Sequence, residues 1–414
     1  MTVALLKYYE RNQQKSQTKF MKTGYSIRTW RMRLVCPEPI WLDRTEEYFQ
    51  NVVEFYYHLL RQHEELWNSS LFDIQRSLEL LTLAGRDGRQ PTNPLPMGKV
   101  PVYLRRAAIN KASATVKSTQ ELQSGFPEKL EAKVTFFKGM YSDLTDKSIC
   151  LKLWNGEKWI WTDCNLKGRP FPQDGQLMSP TLVKEGRRYL LNIPVKQENS
   201  DARTAKERMA EGTNLCSVRF TNTDTFAVCC ILDEQGNQLA VHNCRGGDAY
   251  RHRCKLLETR IQKSRPNTVG DNSPQPNRKY YMHLKNLSEH YAHQVSREIL
   301  NFCKENQAGI IVLPDYDQNF TRMAMVKSGN FSPLHLSSKI RTNLQYKAWA
   351  EGILVLETRT DGLKDKCAIC GGKVRRKGNE FLCENGHQGK RFLNDARNLG
   401  RKCQDSFFRG SRTK

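Results

Sequence analysis

The chain has no apolar run of spanning length, few acids for its many bases, and no cysteine pattern typical of a disulfide framework. The first absence excludes a membrane-spanning helix, so no membrane partner is expected. The opening residues, MTVALLKYYERNQQKSQ, have no adequate apolar core, and no secretory signal is expected there. Acids number 43 against 66 lysines and arginines, a net charge of +23 over 414 residues. That excess points to a polyanionic partner. The 13 cysteines are an odd count, mostly scattered singly. In a chain this long they predict free thiols and a reducing, cytoplasmic compartment. Cys229 and Cys230 sit inside an apolar run and read as core.

What is present is enough to fold. Hydrophobic residues make up 38% and charged residues 26%, so the chain should fold, and its length allows two or three domains; the pattern of elements that follows reads as α+β / α/β. Residues 1–24 read as a basic N-terminal arm. A strand at 25–35 opens a β-barrel expected over 25–196, with a helical unit inserted at about 38–125. One helix is expected over 45–67, where Tyr48, Val52, Phe55, Tyr56, Leu59 and Leu60 keep helical spacing. A second is expected around 71–83. A third runs along YLRRAAINKASATVKS after a Gly/Pro-rich loop. It carries Arg105, Arg106 and Lys111 among small residues, which makes them candidate nucleic-acid contacts. ICLKLWNGEKWIWTD predicts a hairpin turning at Asn155-Gly156, with Trp159 and Trp161 assigned to the barrel core. Residues 197–213 lack an apolar period and read as a linker.

From 214 to 360 the order is legible. Strands at 215–221, 226–232 and 238–242 predict an antiparallel meander. A helix over 280–305 puts Leu284, Leu287, Tyr291, Val295, Ile299 and Phe302 on one stripe. IIVLP and GILVLE are continuous apolar runs of the kind found in strands buried on both faces. A helix at about 336–350 separates them, and a closing helix is expected at about 392–405, within a last segment of 390–414. Three meander strands followed by helix, strand, helix, strand, helix is the order of an RNase H-like fold. Arg251, Arg253, Arg278, Lys279 and Arg391 complete the candidate nucleic-acid contacts.

The fold is interrupted at 361–389 by CAICGGKVRRKGNEFLCENGH. Cys367 and Cys370 form a C-x2-C knuckle followed by two glycines, which let backbone amides turn toward the sulfurs. Cys383 and His387 complete a Cys3His set suited to tetrahedral zinc. Four protein ligands leave no open position, so the expected role is structural. Cys403 is a competing fourth ligand, though it lies well along the closing helix.

RNase H-like nucleases hold two divalent metals on carboxylates, presented by the middle of the first strand, the end of the fourth and the start of the final helix. Here the first strand, CSVRFT, has no acid. The fourth ends Leu313-Pro314-Asp315, and the helix opens Lys390-Arg391-Phe392-Leu393-Asn394. A cation or a large ring is electrostatically wrong where magnesium should sit, and no catalytic Mg2+ is expected.

The stretches NRKYYMHLKNLSEHYAHQVSREILNFCKENQAGIIVLPDY, LQYKAWAEGILVLETRTDGLKDKCAICGG and FLCENGHQGKRFLNDARNLG resemble the TnpB family of transposon-encoded, RNA-guided nucleases and the related miniature type V CRISPR effectors. LPMGKVPVYLRRAAINKA in the first half is similar too, so the resemblance covers most of 90–405. It implies a wedge-like barrel with a helical recognition insertion, then a RuvC domain with a zinc-ribbon-like insertion. It implies a guide RNA and double-stranded target DNA as partners, with sequence read by base pairing.

Against the family pattern, Arg219 or Phe220 stands where the first RuvC strand has Asp. Pro314 replaces the Glu before Asp315, and Phe392 replaces the Asp two residues before Asn-Ala-Ala. The second cysteine pair is reduced to Cys383 with His387 nearby. The resemblance therefore implies a nuclease-dead member that binds DNA as a repressor, a target blocker or a recruiter of a protein partner, in a prokaryotic cytosol or nucleoid. Two alternatives stay open. One is an endonuclease with relocated carboxylates: Asp395, a helical turn beyond Phe392; Asp315, which strand alternation turns away; and Asp224, in a turn. The other is a transposition accessory that binds DNA without RNA.

Overall fold

The computed structural model describes residues 24–85, 87–172, 174–199, 201, 203–264, 277–316 and 331–409. The arm expected at 1–24 lies outside them except for its last residue, as does the tail after 409. The chain divides into two units, 27–197 and 198–414, the latter including the residues up to 26.

The first unit is an antiparallel sheet, curled as a half-barrel, with a helical insertion. Its strands are β1 (Tyr25–Val35), β2 (Tyr141–Ser142), β3 (Ser148–Trp154), β4 (Trp159–Lys167), β5 (Gln176–Leu177), β6 (Thr181–Glu185) and β7 (Arg188–Glu198). They lie in the order β2-β3-β4-β1-β7-β5, with β6 also on β7. Three helices are inserted after β1: α1 (Pro39–Gln62), α2 (Leu71–Thr82) and α3 (Val102–Leu122). α1 begins six residues before the expected start because Pro39 occupies its first turn, where a missing N–H costs nothing. Its buried stripe of Leu42, Phe49, Val52, Val53, Tyr56 and Leu60 has the 3-to-4-residue spacing of an amphipathic helix. Ser70 caps α2 by accepting from the Asp73 amide at 3.2 Å.

The β3–β4 hairpin turns at Asn155-Gly156. Asn155 Oδ1 accepts from the amides of Glu157 and Lys158 at 2.8 Å each, and Gly156 takes the positive φ of +112° that the turn requires. Register pairs Leu153 with Ile160, Leu151 with Thr162 and Ile149 with Cys164. That face is the buried one. Trp161 alternates onto the other, which corrects its assignment to the core, whereas Trp159 is partly buried and packs against the core. Trp161 is 47% exposed beneath the Lys152 ammonium, 5.7 Å from the ring centre. Trp159 packs edge-on against Tyr48, with ring centroids 5.2 Å apart.

The second unit holds α4 (Ala205–Ala210), β8 (Leu215–Phe220), β9 (Ala227–Leu232), β10 (Gln238–Cys244), α5 (Gly247–Lys263), α6 (Arg278–Glu305), β11 (Ile310–Asp315), α7 (Ser337–Trp349) and β12 (Leu354–Arg359). A cysteine-rich ribbon follows, made of β13 (Val374–Lys377), β14 (Glu380–Cys383) and β15 (Gln388–Lys390), and then α8 (Arg391–Arg409). The sheet order is β10-β9-β8-β11-β12. β8–β10 form the antiparallel meander, while β11 pairs parallel with both β8 and β12. This is the RNase H-like arrangement expected from the element order.

All six residues of β8 are buried, because both faces of the sheet are covered. Cys216, Val218 and Phe220 face one core with α6 and α7. Leu215 faces the other with Leu399 and Cys403 of α8. Two helices fall where none was expected. α4 lies in the segment read as a linker and is capped reciprocally by Thr204 and Glu207. α5 fills the basic stretch after β10. It begins at Gly247, whose amide donates to Asp224 O at 2.6 Å. A Cβ there would stand 2.4 Å from Thr223 O, so the tight approach requires glycine.

Candidate functional site at the corner of the sheet

The parallel strands bring the ends of β8 and β11 and the start of α8 to one corner. Arg219, the fifth residue of β8, alternates toward α8. It is 9% exposed. Its Nε lies 3.4 Å from Asp395 Oδ2, and its Nη1 donates to Tyr316 OH at 2.6 Å. Asp395, 3% exposed, also receives both terminal nitrogens of Arg376 from β13. Tyr316 lies over the Arg219 guanidinium, 5.5 Å from Cζ to the ring centre, and burial raises its phenol. Arg341 of α7 donates to Pro314 O at 2.9 Å and stands 3.4 Å from Glu357. The cavity that Arg219, Pro314, Lys364 and Asp395 enclose has about 10 Å³ free, the room of roughly one water. Two-metal chemistry needs free clustered acids; here Asp395 lies between two guanidiniums and Glu357 faces a third, that of Arg341.

The remaining candidate positions are dispersed. Phe220 packs in the core on the other side of the sheet. Asp315 is exposed at the end of β11. Asp224 braces α5, its Oδ1 accepting from Asp248 N at 3.1 Å. Phe392 lies 4.4 Å under the guanidinium of Arg391. Among the described residues, two sets of side chains gather metal-ligating atoms within 4.8 Å of one another, and Asp224, Asp315 and Asp395 belong to neither.

One of those sets is Cys367, Cys370, Cys383 and His387. Two knuckles build it. Ile369 N points at Cys367 Sγ and Asn385 N at Cys383 Sγ, each at 3.4 Å. Gly371 and Gly386 turn the chain at φ +77° and +84°. Cys370 and Cys383 sulfurs are 3.4 Å apart. The Asn385 amide, then Gly372 N–H and the Cys383 thiol, draw the Cys370 thiol down to about 6. His387 Nδ1 is buried and has no hydrogen-bond partner. Amides aimed at sulfur, a thiol poised to ionise and an orphaned imidazole nitrogen fit a bound metal ion. Cys403 lies apart, buried against α8's own core.

The candidate nucleic-acid contacts separate by burial. Arg105 differs from expectation: it is buried, and its guanidinium donates to Glu79 at 3.1 and 3.2 Å. Arg106 shares that glutamate but stays half exposed. Lys111, Arg251, Arg253, Arg278 and Lys279 are exposed. Arg251 also reaches Asn222 O at 3.0 Å. Arg376, Tyr316 and Arg341 were not singled out from sequence. Arg376 lies in a strand of four residues, β13, whose alternation is too short a signal to aim it.

The Aq_aa04 family matches residues 26–155, which run from β1 to just past β3. No curated protein matches in sequence. In the solved Cas12f1–sgRNA–target DNA complex, the similar chain has 12% identity and a TM-score of 0.53, with 87% of this chain and 81% of that one covered. The chain is Cas12-like in fold. The mini-RNA-guided endonuclease CRISPR-Cas phi3 is similar over 94% of this chain and 96% of its own, at 10% identity and a TM-score of 0.52. The Cas12-like fold thus extends through both units. No helix among the described residues is long and apolar enough to cross a membrane.

Proposed function

We propose that the chain binds a guide RNA and, through it, double-stranded DNA, without cutting the DNA. The guide is supported by the Cas12-like fold, which Cas12f1 uses in a complex with sgRNA and target DNA, and by the charge of +23. Base pairing then reads sequence, while the protein holds backbone through exposed cations such as Arg106, Lys111, Arg251, Arg253, Arg278 and Lys279, and through the half-buried Arg391. Such a protein acts as a repressor, target blocker or recruiter in a prokaryotic cytosol or nucleoid.

The loss of cutting rests on one observation: Arg219 and Arg376 clasp Asp395 at the corner where a RuvC nuclease would gather its acids. The two guanidiniums already neutralise Asp395 and repel a dication. In the same reading, Cys367, Cys370, Cys383 and His387 hold a structural zinc ion, which would tie the two knuckles of the ribbon together.

The test has two arms. RNA co-purifying with the chain is sequenced, and a DNA matching its guide segment is offered with and without Mg2+. A discrete RNA and guide-dependent, Mg2+-independent retention of intact DNA are expected. Affinity for DNA with no associated RNA would overturn the guide, in favour of an accessory DNA-binding protein. Mg2+-dependent cleavage abolished by Asp395→Ala would overturn the loss of cutting.

A further inference from the structure

The second set of converging ligands lies away from the corner and the ribbon. β10 carries His242 and Cys244 two residues apart, so alternation puts both side chains on one face of the sheet. α6 covers that face, and its Glu298 reaches the imidazole: Oε1 is 2.6 Å from His242 Nε2. The ligating atoms of His242, Cys244 and Glu298 all lie within 4.8 Å of one another. Phe302, one turn along α6 from Glu298, holds the imidazole plane, with ring centroids 5.3 Å apart.

Access is graded. Cys244 is fully buried, while the side chains of His242 and Glu298 are 37% and 31% exposed. The set therefore opens to solvent through its imidazole and carboxylate, with a thiol at its floor. Behind that floor are more thiols. Cys229 stands opposite His242 in the β9–β10 register, and its sulfur meets those of Cys216 and Cys244. Cys216 in turn meets Cys303 of α6. Small apolar thiols filling a core account for Cys216 and Cys303. They do not account for an imidazole, a thiol and a carboxylate converging from two elements at a point that solvent reaches.

We propose that His242, Cys244 and Glu298 bind a divalent transition-metal ion of the zinc class, separate from the cysteine ribbon, as three protein ligands. One imidazole nitrogen, one thiolate and one carboxylate suit zinc. Magnesium and calcium require oxygen donors and would leave the sulfur unused. Binding displaces the thiol proton to solvent and exchanges the direct His242–Glu298 contact for two bonds to the ion. The ion ties the edge strand β10 to α6.

The experiment counts metal in the full-length chain and does not depend on the nucleic-acid reading. Chains loaded with Zn2+ and freed of excess by gel filtration are analysed by elemental mass spectrometry. Two equivalents are expected in the wild type and one in His242→Ala or Glu298→Gln, both at solvent-reached positions that leave the core intact. Cys370→Ser, which disables the ribbon, also leaves one. Co2+ added to Cys370→Ser is expected to give tetrahedral d–d bands with a thiolate charge-transfer band, both lost on adding His242→Ala. A single equivalent in the wild type, or a count unchanged by both His242→Ala and Glu298→Gln, overturns the proposal.

Discussion

Arg376 of the cysteine ribbon bridges to Asp395 of the closing helix with both terminal guanidinium nitrogens. The contact couples two elements that sequence presents as separate. Asn394 adds to it: its Oδ1 accepts from Ala368 N, and its Nδ2 donates to Lys366 O, both at 2.8 Å. With the ribbon holding the metal proposed above, losing that metal should loosen α8. Chelation, or Cys370→Ser, is expected to lower Tm and to speed amide exchange at 391–398, measured by mass spectrometry. If exchange there stays at the native rate while the metal is gone, the coupling is absent.

Arg219 has a measurable structural task. Replacing it with Leu leaves the buried Asp395 with a single partner, and on the order of 3 kcal/mol of stability is expected to be lost. Arg219→Leu combined with Asp395→Leu removes both charges, and the double variant is expected to be more stable than Arg219→Leu alone. Urea denaturation of the two variants reads the difference. Equal midpoints for wild type and Arg219→Leu would remove the ion pair from the account.

Gly400 sits where α8 presses on the sheet. A Cβ there would stand 2.5 Å from Leu232 Cδ1, 3.1 Å from Leu215 Cδ1 and 3.2 Å from Ser217 Cβ. Helix propensity favours alanine by about 1 kcal/mol, but overpacking costs about 1–3 kcal/mol. With three neighbours on two strands crowded at once, Gly400→Ala is expected to be net destabilising. A raised Tm would show that the strands yield more easily than their packing indicates.

Lys347 of α7 introduces a pH dependence. Burial, and then Arg297, lower its ammonium to about 8, although it donates to Ser296 Oγ at 2.7 Å and His293 O at 3.0 Å. A lysine lowered in the native state is charged there at a cost below about pH 8. In the unfolded chain it keeps its proton to about 10.4. Between these values the unfolded state binds more protons, so stability from this group rises with pH. Lys347→Met removes that rise. The Tm of the variant minus that of the wild type is expected to fall from pH 8 to 10, and a flat difference would place the ammonium at its ordinary value.

The sequence carried the fold further than the site. Continuous apolar runs such as IIVLP and the Asn155-Gly156 turn are local signals, and each formed the element expected of it. α5 was missed because two glycines, Gly246 and Gly247, lead into it and most of its exposed face is charged, so only Tyr250, Cys254 and Ile261 are buried along with Gly247. Trp161 of β4 was misplaced for a different reason: alternation says which residues share a face, not which face is inward. The ligands of the ribbon follow a spacing rule and were readable. The grip on Asp395 was not, because Arg219, Arg376 and Tyr316 come from three elements and meet only when the chain closes.

The two faces of the second unit's sheet are completed at different times as the chain is made. α6 and α7 seal Cys216, Val218 and Phe220 from one side before the ribbon and α8 are synthesised. On the other side, Leu215, Leu232, Ile310 and Val312 are buried with α8 through Ala396, Leu399 and Cys403. Until that helix leaves the ribosome, the sheet presents a greasy, half-finished plate to solvent. Synthesis at about 5–20 residues per second leaves this plate bare for several seconds after β12 is made. Chaperone demand during translation should therefore be greatest over the ribbon segment, just before the last helix arrives.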